Sequence, residues 1–266
     1  MIRSNYSVSR IAWAFSGSAA FGAIMCLSQL AAAQQVDEFG AYRPPGETYS
    51  RETSRNFAFE LRFGPYLPRV DSEFTNGKTP FKQYFGTSNR VMLGMEFDWL
   101  PMTIPDVLRV GVGAGISYTT MSAKALMYQD DTARSSQDTG FRVMPHWVVG
   151  VAKLDVINRK TPIPVIFVGK LGLANALWWV NDYPSPNSAD GVAGKGSSQG
   201  IYYGLGAGLD LGILDPIRAK RLDSTTGINS VYLYGEFYGM ELSSFGASNA
   251  MHIGDRTWLL GLSFDI

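Results

Sequence analysis

A single cysteine and two histidines leave this 266-residue chain little material for thiol, metal or imidazole chemistry. Cys26 falls in a segment expected to be removed, so the mature chain would hold no disulfide, which suits an oxidising compartment without depending on one. With His146 and His252 far apart in sequence, a metal site would have to be built from carboxylates. Surplus charge is also missing: 23 basic residues balance 23 acidic ones and form no basic run, which excludes the electrostatic footprint of a nucleic-acid-binding protein. Beyond the first thirty or so residues there is no apolar run of the roughly 20 residues that a membrane helix needs.

Residues 1–33 have the three zones of a secretory signal. Arg3 and Arg10 supply the positive start, Ile11 to Leu30 the apolar centre, and Ala31-Ala-Ala33 a small-residue cleavage site before Gln34. The alternative, an uncleaved anchor, fits the diluted apolar centre less well. Met25 before Cys26 argues against lipid attachment, since that position normally takes a small residue. Cleavage leaves 21 basic against 23 acidic residues, a net charge of −2. Residues 34–56 carry no periodicity and read as a flexible periplasmic arm.

The remainder, 57–266, is rich in Gly, Tyr and Phe and alternates with a period of two. Eight strands are expected, at 57–67, 86–100, 108–121, 139–154, 164–178, 199–213, 228–242 and 255–266. In the first, Phe57, Phe59, Leu61 and Phe63 oppose Glu60, Arg62 and Gly64. In the fourth, Phe141, Val143, Trp147, Val149 and Val151 are expected to face lipid, with Arg142 and His146 on the inner face. The last ends on Leu260, Leu262, Phe264 and Ile266 along one face, so the usual terminal aromatic lies two positions before the end. A strand that stops so abruptly must pair with something, because an open edge invites aggregation.

A soluble sandwich also alternates, with its polar face in water. Here the polar face mixes glycines with isolated charges, the strands run about ten to fifteen residues, and aromatics gather toward strand ends, all features of a tilted membrane span. The expected fold is therefore all-β: an eight-stranded antiparallel transmembrane β-barrel of outer-membrane type, closed by pairing 255–266 with 57–67. Connections after strands two, four and six contain Pro101-Met-Thr-Ile-Pro105, Asn158-Arg-Lys-Thr-Pro162 and Asp215–Leu222. The others are mostly longer and richer in Ser, Asn, Asp and Gly, which assigns both termini to the periplasm of a Gram-negative cell. The 214–227 connection is too long for a tight turn and suggests a short helix around 216–222.

At Phe59-Glu-Leu-Arg-Phe-Gly-Pro-Tyr66, Gly111-Val-Gly-Ala-Gly115 and Ile201-Tyr-Tyr-Gly-Leu-Gly-Ala-Gly208, the chain resembles a family of small outer-membrane β-barrels best known from myxobacteria. The resemblance spans about 57–266 and implies architecture and location but no activity. More distantly the layout is similar to OmpA-like and OmpW-like eight-stranded barrels.

Inward parity assigns Glu60, Arg62, Arg90, Glu96, Asp98, Arg109, Arg142, His146, Lys170, Asp210 and Glu236 to a lumen polar network. An eight-stranded barrel has an interior just wide enough for side chains to fill, and buried charges must pair, with Arg62–Glu96 and Asp98–Arg109 as expected partners. Gly204, Gly206 and Gly208 are expected to lie beneath Tyr232, Tyr234 and Tyr238 as a glycine–tyrosine seam. The nucleophile, base and orienting acid of a hydrolase are not evident: Val148 and Gly254 occupy the positions two after the histidines. No cofactor is expected. Asp130, Asp131 and Asp182 read as solvated loop charges rather than Ca²⁺ ligands. The expected function is non-enzymatic, structural or surface-interacting through external loops, with a narrow OmpW-like channel as the alternative and a lipid-modifying enzyme behind it. Expected partners are outer-membrane lipid and lipopolysaccharide, and the outer-membrane assembly machinery through the C-terminal strand.

Overall fold

The computed structural model describes residues 55–266 apart from 75, 105–107, 128–129, 161–162, 183–187, 190–191 and 248–249. The expected signal and the arm as far as residue 54 lie outside the described residues, as do the side chains of Asp130, Asp131 and Asp182. Eight strands close into an antiparallel barrel: β1 (Phe57–Tyr66), β2 (Arg90–Ile104), β3 (Leu108–Met127), β4 (Asp130–Leu154), β5 (Val165–Asp182), β6 (Lys195–Asp210), β7 (Ser230–Leu242) and β8 (Asp255–Asp265). Each pairs with the next, and β8 pairs back with β1 from Ala58↔Asp265 to Phe63↔Leu260. The seam is completed by Phe57 N–H donating to Ile266 O at 3.1 Å and Ile266 N–H to Phe57 O at 2.9 Å.

The register fixes the shape. A row of facing residues that starts at Ala58 passes through Asp98, Gly113, Val149, Gly172, Tyr202, Met240 and Asp255. It meets β1 again beside Leu67, whose N–H donates to Asp255 at 2.9 Å, so one circuit displaces the row by about ten residues, and such a stagger tilts the strands by about 40°. The rim where β1 starts and β8 ends is the near rim; the opposite one is the far rim.

Side chains divide by parity. Leu205, Val91, Leu171, Leu173, Leu93 and Val148 are all more than 60% exposed on the outer wall, and Phe63, Met95, Trp99, Ile116, Phe237 and Trp258 join them. A soluble protein would not present so continuous an apolar exterior. The inner face holds the buried groups, charged ones included. A sandwich is thereby ruled out, since one closed sheet carries both faces.

Three sequence expectations are corrected. Where a loop was expected, strand continues through Met127 and from Asp130: β3 and β4 run on together past the far rim, with register shifts near Leu126. The stretch mixes Ala, Leu and Met with Ser, Lys, Asp and Gln and lacks the regular alternation that marks a half-buried strand. Pro101–Ile104 likewise continues β2, through an irregularity between Trp99 and Met102. Third, β4 has the reverse parity: Phe141, Val143, Trp147, Val149 and Val151 are buried inside, while Arg142 is exposed and His146 half-buried on the outer wall. Space decides this. Gly115 faces Trp147, and both Gly113 and Gly172 face Val149, so the flanking strands leave room inside for the bulky residues of β4. The 214–227 connection holds a helix at Pro216–Thr226.

Deleting residues 262–266 removes four of the six β8 registers with β1 and leaves an edge that lipid cannot satisfy. The expected result is loss of the heat-modifiable barrel band in membrane fractions; normal yield of that band would contradict the closure argument.

Candidate functional site

The lumen holds the main concentration of buried polar groups, arranged in layers along the barrel axis. In the central layer, the Arg62 guanidinium from β1 pairs with Glu96 of β2 and with Glu236 of β7 at 3.0 Å. It lies over the Trp147 ring at 4.9 Å and also bonds the Tyr202 hydroxyl. Lys170 of β5 lies 2.7 Å from Glu60, 2.6 Å from Glu96 and 3.4 Å from Glu236. Tyr234 donates to Glu60 at 3.0 Å, Tyr202 donates to Glu236 at 2.6 Å, and the Trp147 indole donates to Glu96. Two cations thus tie strands on opposite sides of the barrel to three carboxylates, and stacked Trp147, Tyr202 and Tyr238 wall one side.

Toward the near rim, Arg109 bridges Asp155 and Asp265, each at 2.8 Å, and Lys153 pairs with Asp265 while lying 4.4 Å over the Tyr232 ring. Toward the far rim the filling is apolar: Tyr66, Met92, Met121, Phe141, Val143, Met240, Leu242 and Ile253 are buried together. Above them sits the β1–β2 connection, with a 3₁₀ turn at Val70–Glu73 and helix α1 at Pro80–Phe85. Asp71 accepts from the N–H groups of Phe81 and Lys82 at 2.7 and 2.9 Å, holding the first turn of α1. Phe81 then packs on Phe141 at 6.0 Å, which makes this connection a lid.

Several sequence-predicted lumen residues lie elsewhere. Arg142 and His146 are on the outer wall because β4 is reversed. Arg90 has inward parity but ends at the far rim, donating to the carbonyls of Ser88 at 2.7 Å and Phe85 at 3.1 Å beneath the lid. Asp210 ends at the near rim, accepting from Gly212 N–H and from Asn158, both at 2.8 Å. Asp98 does not pair with Arg109; Asp155 and Asp265 take that guanidinium, while Asp98 Oδ1 makes no hydrogen bond among the described residues.

The glycine–tyrosine seam is corrected in part. Register places Gly204 opposite Tyr238 and Gly208 opposite Tyr234, and Tyr232, Tyr234 and Tyr238 are buried inside with Glu236. The rings nevertheless lean away. Tyr234 reaches toward Glu60, so its ring covers Gly261 of β8, and the Glu236 side chain covers Gly204. Gly206 meets Glu236 rather than a tyrosine, and Gly208 meets Ile166 and only the Cβ of Tyr234. Ring-over-glycine cover does occur, at four directly facing pairs: Trp147 on Gly115, Trp178 on Gly196, Tyr203 on Gly239 and Tyr234 on Gly261.

Sequence reasoning missed Trp147, Lys153, Asp155, Tyr202 and Asp265 as network members. Lys153 and Trp147 were hidden by the apolar parity of β4. The available signal was complementarity: a strand of large residues flanked by glycine-rich strands fits only with its bulk turned toward those glycines.

Little in this arrangement suits catalysis. Glu60, Glu96 and Asp98 cluster closely enough to hold a cation, but the Lys170 ammonium already occupies Glu60 and Glu96. At the lid, Ser72 Oγ lies 3.0 Å from His252 Nδ1. That hydroxyl donates to Arg69 O at 2.6 Å, so it accepts from the imidazole rather than surrendering its proton to it.

No protein-family model matches the chain, and no curated protein does. Among solved structures it is similar to Ail, the attachment invasion locus protein of Yersinia pestis, at 10% identity and a TM-score of 0.39, covering 79% of this chain and 97% of that one. It is also similar to the outer membrane protein OprG of Pseudomonas aeruginosa, at 12% identity and a TM-score of 0.44, covering 79% and 95%. The N-terminal β-barrel domain of Pseudomonas aeruginosa OprF gives 12%, a TM-score of 0.32, and coverage of 79% and 98%. The chain's own geometry defines its class: a closed eight-stranded barrel with an apolar exterior and a polar, filled interior is an integral β-barrel of the outer-membrane type.

Replacing Arg62 by Met strands Glu96 and Glu236 beside one fewer cation, and breaking a buried pair costs about 3–5 kcal/mol. Urea unfolding in lipid vesicles should register that loss, with partial recovery in R62M/E96Q; unchanged stability of R62M would contradict the network's role. Gly115→Val should lower stability by about 1–3 kcal/mol because the new side chain meets the Trp147 ring. Gly150→Val on the outer wall, where a Cβ meets only Leu171 O at 3.6 Å, should be near neutral in the same assay.

Proposed function

We propose that this protein is a non-conducting, non-enzymatic outer-membrane barrel that acts at the cell surface through its far rim, with both chain termini in the periplasm. The observation that carries this reading is the filled lumen. The central ion pairs, the near-rim Arg109–Asp155–Asp265–Lys153 group and the apolar plug under the lid lie one above another. A void beside Arg62, Trp147 and Tyr202 measures about 10 Å³, less than a channel needs.

The orientation is supported by the connections. The far rim carries the lid, the β5–β6 and β7–β8 connections and the extended β3–β4 hairpin, and the near rim the brief Ile104–Leu108 connection, although it also carries the β6–β7 connection with its Pro216–Thr226 helix. Short periplasmic turns and longer external loops are the rule in such barrels. The lid is also latched: Arg69 N–H donates to Gly254 O at 3.1 Å, Glu73 accepts from His252 N–H, and Arg134 donates to the carbonyls of Gln83 and Tyr84 at 3.1 and 3.2 Å. A fixed external surface of this kind suits recognition better than gating. The same reading gives β8 to the assembly machinery as the strand that is recognised before closure.

Planar-bilayer recording tests the lumen. Purified protein should give no stable, reproducible openings; such openings would return the narrow-channel reading. Orientation is read separately: Lys78→Cys on the lid should react with a membrane-impermeant maleimide on intact cells, and protection of that thiol would reverse the assignment.

A further inference from the structure

The outer wall, rather than the lumen, carries polar chemistry without a described role. On β4, β5 and β6 it forms two levels. At the upper level Arg142 faces Trp179, which in turn faces Lys195, so two exposed cationic side chains flank one indole. The Tyr118 ring lies 6.4 Å from that indole. Four residues nearer the membrane centre on β4, His146 faces Asn175, and Asn175 faces Gln199. The Asn175 amide donates to His146 Nε2 at 3.1 Å, which leaves the ring proton on Nδ1. Asn175 Oδ1 is buried and has no partner among the described residues. Hydrogen-bonding groups on a lipid-facing wall are costly unless something meets them.

An apolar groove of about 550 Å³ leads to this lower level. One bank is the row Leu61, Met95 and Ile116 across three strands, and the next residue in that row is His146. The opposite bank is Phe63, Leu93 and Tyr118, continued by Met144. Pro145, between Met144 and His146, removes a ladder N–H where the groove ends. Because rows climb toward the far rim from β1 to β4, the groove rises obliquely to the polar level. Along β4, Arg142 then stands about 13 Å beyond His146, or about 10 Å along the membrane normal at the strand tilt.

From this layering we infer a binding site for a phosphorylated glycolipid of the lipid A type. One acyl chain lies in the groove, its amide or ester linkage meets His146 and Asn175, and a phosphate is held between Arg142 and Lys195 beside Trp179. Phosphate favours paired cations, and the order of phosphate, acyl linkage and chain along one molecule matches the order of cations, hydrogen-bonding groups and groove on the wall. The site rests on the reading that the far rim faces the cell exterior, and it is independent of whether the lumen conducts.

The test is native mass spectrometry of the full barrel in detergent with lipid A, enzymatically dephosphorylated lipid A, or phosphatidylglycerol. The wild-type protein should retain lipid A over both others. R142Q/K195Q should retain it roughly tenfold less, the loss expected for charge-assisted contacts, and become indifferent to dephosphorylation. H146L/N175L should weaken retention of both forms of lipid A alike. Equal retention by wild type and R142Q/K195Q overturns the proposal, as does preference for phosphatidylglycerol or association only between copies of the protein. Arg142 and Lys195 are exposed, so their variant assembles even if H146L/N175L does not, and heat-modifiable migration confirms the barrel in each sample. Cysteine labelling at position 78 reports orientation by itself, which separates failure of the site from failure of the orientation.

Discussion

A backbone N–H that faces hydrocarbon has no water to bond, and the rest of this structure follows from that constraint. It forces β8 onto β1, and the stagger of that closure sets the tilt of the strands. Eight tilted strands then enclose an interior with room for side chains and little else. Whatever the sequence places on the inner face has to pack, pair, or be glycine. The charged centre, the ring-covered glycines and the apolar far-rim plug are three responses to the same limited volume.

Those responses depend on one another. Arg62 can lie over Trp147 only because Trp147 is inside, and Trp147 is inside because Gly115 leaves space for it. Tyr234 is drawn to Glu60 and so covers Gly261 on the closing strand. The ion pairs in the centre therefore help to shape the seam that closes the barrel. Replacing the whole cluster by apolar residues of equal volume need not cost stability. Removing one member is costly, because the remaining charges have no solvent to turn to.

Strand number, order and closure were legible in the sequence because one face of nearly every strand is continuously apolar, and a period of two is hard to mistake. Inner-face membership was legible for β1 and β2, where Glu60, Arg62 and Glu96 stand among alternating apolar neighbours; on β7, with tyrosines and apolar residues on both faces, Glu236 alone set the parity. It failed on β4 for a physical reason. Both faces of that strand are rich in large residues, so hydropathy cannot choose between them, and the deciding information lies in the glycines of β3 and β5. The seam failed differently: parity and register placed each tyrosine opposite its glycine, but side-chain direction was set by remote hydrogen-bond partners that no strand pattern encodes. The extended β3–β4 wall was missed because backbone pairing beyond the bilayer needs no apolar face.

The reversal of β4 also changes where chemistry can be sought. With Trp147 turned in, the lumen gains the ring that cradles Arg62 and loses a histidine and an arginine. With His146 and Arg142 turned out, the outer wall gains groups that an apolar belt would otherwise exclude. With the lumen packed by its own side chains, the rims and the wall are where such a barrel offers surface to other molecules. On β4, β5 and β6 that wall is graded, from cations beside an indole to hydrogen-bonding groups, and an apolar groove across β1, β2 and β3 leads up to them. The same packing choice that closes the inside is what makes the outside specific.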